Sequence, residues 1–106
     1  MKQLKFANPL PERVLNGEKT ATWRINDKKG IVKGDKLSLC YHDGREFAKA
    51  IAIRVKETRF KDLTEEDWKG HEKFSSEEEM YKTYSDYYGF EVTPETKVKL
   101  IRFRLL

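Results

Sequence analysis

Between Gly17 and Arg24 the chain reads G-E-K-T-A-T-W-R, and this octet holds the residue types best suited to chemistry. A threonine hydroxyl is a poor nucleophile until a neighbouring base takes its proton. A lysine is such a base only when burial or a nearby cation draws its pKa from about 10.4 towards neutrality. Lys19, Thr22 and Arg24 bring an amine, a hydroxyl and that cation together in one short segment. Along an extended strand side chains alternate, so Thr20, Thr22 and Arg24 share one face while Ala21, Trp23 and Ile25 share the other. The apolar face packs. The polar face is either a solvated edge or a surface that grips a polar or anionic ligand. Arg24, or backbone N–H groups near Gly17, could receive a developing oxyanion, a contribution of about 3–4 kcal/mol elsewhere.

The elements around the octet are legible from punctuation and period. Lys2–Phe6 reads as a first strand, and Asn8-Pro9-Leu10-Pro11 interrupts it. Glu12–Asn16 is a short helix with Pro11 near its first turn and Gly17 just past its end, after which Lys19–Ile25 is extended. Turns at Asn26–Gly30 and Gly34-Asp35 precede a buried strand, Lys36–Tyr41. His42-Asp43-Gly44-Arg45 signals a hairpin into a long strand, Glu46–Thr58, where Ile51, Ile53 and Val55 alternate with Ala52 and Arg54. Thr64 caps a short helix with Asp67 three residues on, and Ser76 caps a second. That second helix offers Met80, Tyr84 and Tyr87 or Tyr88 as its inward stripe and ends at Gly89. In the closing strand, Lys97–Leu105, Val98 and Leu100 fall on one parity and Ile101, Phe103 and Leu105 on the other. Either both faces are covered or a bulge resets the phase near Leu100. About five strands with two or three short helices predict an α+β fold built on a mostly antiparallel, closed or nearly closed sheet.

A chain of 106 residues suits one domain, with no repeat or linker to mark a second. Hydrophobic and charged residues each make up 38%, a lean core under a charged skin, and the net charge of +4 is compatible with phosphate without requiring it. No stretch is long and apolar enough for a membrane helix, no signal pattern is visible, and the single cysteine allows no internal disulfide. A cytoplasmic protein is therefore expected, with Cys40 as a buried thiol. His42 belongs to the hairpin, and the histidines and cysteine show no metal spacing. His71, beside Glu72, is either an ordinary loop histidine or a ligand contact. Trp68 is either a core anchor or a surface on which a base stacks.

The octet resembles the G-x-K-x-x-T-x-R motif of the ASCH domain, a relative of the PUA barrels of RNA-modifying proteins. The likeness extends to the preceding helix, the Gly34-Asp35 turn, the Leu63-Thr64-Glu65 helix start and the strand Val98–Leu105. It implies a single PUA-like domain over residues 1–106. The chain is also similar to the small single-domain amidohydrolases that remove the acetyl group from N4-acetylcytidine, although it carries Trp23 where those tend to have an aliphatic residue. That resemblance implies Lys19, Thr22 and Glu72 as catalytic residues; the residues read by themselves add Gly17 and Arg24 as candidates at the substrate, and Trp68 and His71 as candidates at the rim. It implies a modified nucleoside or RNA as partner, with no metal, organic cofactor or membrane. The competing readings are a non-catalytic RNA-binding module and a ribonuclease. Glu72 separates them: a carboxylate in the cleft repels phosphate but suits a base or a proton transfer.

Overall fold

Apolar residues on both faces of the last strand govern the architecture. In the computed structural model, which describes residues 1–106, the order is β1 (Lys2–Phe6), α1 (Leu10–Leu15), β2 (Ala21–Arg24), β3 (Lys36–Tyr41), β4 (Glu46–Arg59), α2 (Glu65–Trp68), α3 (Glu77–Tyr88) and β5 (Lys97–Leu105). The strands form one sheet in the order β1-β3-β4-β5-β2. β1 runs parallel to β3 and the other three pairings are antiparallel, so the sheet is mixed. It curls strongly into a half-barrel. Ile101 and Phe103 of β5 join Leu4, Phe6, Leu37, Leu39 and Ala52 in a core on one face. Val98 and Leu100 join Trp23, Ile25, Phe60 and Met80 in a second core on the other, under α3. Both faces of β5 are thus covered, and its pairing with β2 runs without interruption from Ala21↔Arg102 to Arg24↔Lys99.

The irregularity lies in β4 instead. Its register against β5 shifts between Ala52 and Arg54. Before the shift the small residues Ala50 and Ala52 face the core; after it Val55 does, and Ile53 is left 40% exposed. The alternation of Ile51, Ile53 and Val55 on one face is therefore broken by the bulge, which turns the strand from one partner to the next.

Edge strands β1 and β2 lie at opposite ends of the sheet order, and side chains span the gap between them. Arg24 Nη2 donates to the Lys5 carbonyl at 2.7 Å, its guanidinium lying 5.1 Å from the Phe6 ring centre, and Lys29 Nζ donates to the Gln3 carbonyl. Local signals resolve close to expectation. α1 starts two residues earlier than Glu12, at Leu10, while β2 is shorter than Lys19–Ile25. Thr64 and Asp67 close a reciprocal capping box, Ser76 Oγ accepts from Glu79 N–H, and Gly89 takes the left-handed conformation that ends α3. Cys40 is a buried free thiol. No helix is long and apolar enough to cross a membrane.

Candidate active site

The segment after α2 is anchored from three directions. Arg102 of β5 donates to the carbonyls of Lys69 and Glu66, each at 2.9 Å. Trp23 Nε1 donates to the Asp67 carbonyl at 3.4 Å. The Gly70 carbonyl accepts from the backbone N–H groups of Thr20 and Ala21 at 2.8 and 3.2 Å, extending the sheet edge where β2 begins. Gly70 has φ +73°, and a Cβ there would lie 1.9 Å from Thr20 Oγ1 and 3.2 Å from Thr20 N. Only glycine fits this approach. It sets the next two residues, His71 and Glu72, against the start of β2.

Glu72 meets Lys19 there. Lys19 Nζ lies 2.5 Å from Glu72 Oε1 and 2.8 Å from the Ala21 carbonyl. Lys19 is 3% exposed, and burial holds its pKa below the ordinary lysine value; the Glu72 carboxylate opposes that shift, while Arg24 and Arg13 reinforce it. For Glu72, burial pushes the pKa up, but Lys19 and His71 outweigh it and hold the carboxyl below its ordinary value. The resting pair is therefore an ammonium on a carboxylate.

Thr22 does not lie on a solvated edge. It is 5% exposed, and its Oγ1 accepts from Arg24 Nε at 3.3 Å. The polar face of β2 turns inward because the segment Gly70–Phe74 and α3 close over it. His71 is buried as well: its ring stacks on Trp23 at 3.7 Å between centres and 16° between planes. Burial and the nearby Lys19 charge lower its pKa to about 4, so it is neutral at physiological pH. Tyr84, on α3, meets His71 Nε2 at 3.1 Å, and burial raises its phenol well above the ordinary value.

These groups enclose a cavity of about 190 Å³. Phe6, Trp23, Phe74, Tyr84 and Tyr88 supply aromatic walls, and Lys19, Thr22, Arg24, His71 and Glu72 supply polar groups. Tyr88, whose hydroxyl accepts from Ile25 N–H at 3.1 Å, joins the wall from α3, and Tyr87, also lining it, is 62% exposed. Gly17 lies outside this cavity, in a separate depression with Thr20, Arg102 and Arg104. Trp68 is outside it too. It packs edge-on against Trp23, 4.6 Å between centres, as a partly buried neighbour of the second core. No three His, Cys, Asp or Glu side chains stand close enough to hold a metal ion. Gly70 and Tyr84 were not among the sequence-derived site residues. A glycine directly before His71-Glu72 was the available signal for the first; the partner of the Tyr84 hydroxyl is long-range and left none.

The family model described as "ASCH domain" matches residues 1–106. In fold, the chain is similar to the ASCH domain from Lactobacillus crispatus JV V101, at 17% identity and TM-score 0.65, covering 89% of this chain and 68% of that one. Protein EF3133 from Enterococcus faecalis V583 is similar at 18% identity and TM-score 0.77, covering 93% and 71%. Hypothetical protein PH0355 is similar over the whole of both chains, at 22% identity and TM-score 0.74. No curated protein matches the sequence.

Proposed function

The chain belongs to the ASCH domain family, and from that premise we propose that it hydrolyses the acetyl amide of N4-acetylcytidine, with Thr22 as nucleophile and Lys19–Glu72 as its acid–base pair. The observation that carries this reading is the contact of 2.5 Å between Lys19 Nζ and Glu72 Oε1 in the same aromatic cavity as Thr22. An ion pair kept only for stability gains little from being buried at the wall of a cavity. An acid–base pair gains there, because both groups can reach a ligand.

The roles follow from the charge states. Arg24 occupies a lone pair of the Thr22 hydroxyl, leaving its hydrogen to be given away. Glu72, ionised, takes that proton as Oγ1 bonds to the acetyl carbon, and the carbonyl oxygen becomes an oxyanion beside the Lys19 ammonium and Arg24. The oxyanion collapses, the C–N bond breaks, and Lys19, made more acidic by burial, protonates the departing N4 amine. Glu72 returns its proton to Lys19. Water then attacks the acetyl-threonine ester with Glu72 as base, acetic acid leaves, and the Thr22 oxygen is reprotonated from the pair. Amide and water become amine and acetic acid, which ionises to acetate by releasing a proton to solvent.

The cavity supports a base-sized occupant. About 190 Å³ is below the roughly 300–1,000 Å³ of clefts that enclose drug-sized ligands, so an acylated pyrimidine enters and its sugar stays at the mouth. The walls offer aromatic faces for the ring. A purely RNA-binding module or a ribonuclease would have to bring phosphate towards the Glu72 carboxylate. The test is incubation of purified protein with N4-acetylcytidine and, separately, with plain RNA, followed by chromatography of the products. Cytidine and acetate are expected from the first and no cleavage from the second, with Thr22→Ala abolishing turnover. Undiminished turnover by that variant, or cleavage of RNA instead, would refute the assignment.

A further inference from the structure

The Glu72 carboxylate has a second neighbour that the roles above do not use. His71 Nδ1 lies 2.7 Å from the Glu72 backbone carbonyl and 3.2 Å from Glu72 Oε1. Both are acceptors, so Nδ1 must carry the hydrogen. The ring is neutral, so Nε2 has a lone pair, and at 3.1 Å it takes the Tyr84 hydroxyl proton. We propose that the Glu72 carbonyl and Oε1 hold His71 in its Nδ1–H tautomer, with Nε2 accepting from the Tyr84 hydroxyl, and that His71 is thereby a positioning residue for Glu72, binding Oε1 together with Lys19 so that Oε2 is the atom left to work.

The geometry explains why the arrangement is singular. Of the two neutral imidazole tautomers, only this one satisfies both ring nitrogens. The stacking of the ring on Trp23 keeps it in the orientation that aims Nδ1 at Glu72 and Nε2 at Tyr84. Oε1 then accepts from Lys19 Nζ and His71 Nδ1–H, and a carboxylate held through one oxygen has a fixed second oxygen. The titratable groups facing the ring are Lys19, Glu72 and Tyr84, from the start of β2, the ring's own segment and α3. The Tyr84 oxygen, its proton spent inward, presents only acceptor capacity to the cavity it lines. That suits a ligand bearing an N–H.

The proposal rests on the deacetylase reading for its catalytic consequence, but the tautomer can be read without any substrate. Nitrogen-15 NMR of the histidine ring should show Nδ1 protonated and Nε2 bare near neutral pH in the wild-type protein. The opposite tautomer would overturn the proposal. Carbon-13 titration of the Glu72 carboxyl should give a midpoint that rises in His71→Gln, whose amide reaches the Nε2 position but not the Nδ1 position. In His71→Asn, which keeps a donor near Nδ1, the midpoint should return towards the wild-type value. On N4-acetylcytidine, His71→Gln should lose about ten- to a hundredfold in kcat with KM little changed, the range seen when the outer partner of a metal-bound ligand is removed. His71→Asn should recover most of it. Tyr84→Phe leaves the Glu72 acceptors facing Nδ1 and should keep the Nδ1–H tautomer, which keeps the idea testable if the Gln variant does not fold: the Nε2–H tautomer in Tyr84→Phe would show that Glu72 does not set it. An unmoved Glu72 midpoint in folded His71→Gln, or equal kcat in the Gln and Asn variants, would reject His71 as a positioning residue. Absence of deacetylation by the wild-type protein would reject the proposed function, and the ring and carboxyl spectra would still decide this inference.

Discussion

Replacing Gly70 by alanine isolates the contact that brings the two halves of the site together. Two costs add. Alanine at φ +73° sits in the left-handed region, at about 1–2 kcal/mol. The new Cβ also meets Thr20 Oγ1 at 1.9 Å, Thr20 Cβ at 3.1 Å and Thr20 N at 3.2 Å. Rotation of the threonine relieves the first of these; the Cβ and backbone contacts remain, an overpacking of about 1–3 kcal/mol. The total is about 2–5 kcal/mol. Gly17→Ala is the control, because Gly17 has φ +84° with nothing within 4 Å of its Cβ position, so only the conformational cost applies. Urea unfolding followed by tryptophan fluorescence should therefore place Gly70→Ala about 1–3 kcal/mol below Gly17→Ala, a gap of roughly 4 °C in Tm for each kcal/mol in a chain of this size. Adding Thr20→Ala to Gly70→Ala should recover little, because the contacts that survive rotation are with Thr20 Cβ and backbone N, which alanine keeps. Equal stability of the two single variants would refute the close approach, and with it the account of how Glu72 is set against Lys19.

Three other outcomes can be measured directly. His71 has a folded pKa of about 4 against an ordinary 6.5, so the unfolded chain binds the extra proton between those values. Its contribution of about 3 kcal/mol should be present in full above pH 6.5 and lost as pH falls towards 4; urea midpoints that stay level from pH 7 to 4.5 would contradict the burial of a neutral ring. Thr64→Ala removes one arm of the α2 capping box and should cost about 0.5–2 kcal/mol by thermal unfolding, with Thr64→Ser close to wild type. Leu100→Ala should cost about 2–5 kcal/mol because Leu100 is fully buried. Leu105→Ala, at a 37% exposed position, should stay within about 0.5 kcal/mol. A loss at Leu100 as small as that at Leu105 would argue that the Val98–Leu100 face of β5 is not covered.

Much of this protein is written locally. The caps at Thr64 and Ser76, the stop at Gly89 and the apolar strand Lys36–Tyr41 depend on neighbours within a few residues, and they appear where the chain predicts them. The octet Gly17–Arg24 marks Lys19, Thr22 and Arg24 by type and spacing, and all three line the cavity. Its strand parity misleads in one respect. Alternation separates Thr22 from Trp23, but says nothing of what covers each face, and here both are buried. The same limit applies to β4, where a bulge against β5 undoes the even period of Ile51, Ile53 and Val55. It applies to β5, where two parities of apolar residues are consistent with either a bulge or two cores. Gly17, conspicuous in sequence, faces a different depression. Only tertiary structure brings Glu72 across 53 residues to Lys19 and gives His71 one tautomer between Tyr84 and that carboxylate. The physical reason is that residue type supplies a group with an ordinary pKa, whereas burial and the partner across the fold decide its charge, its orientation and so its use.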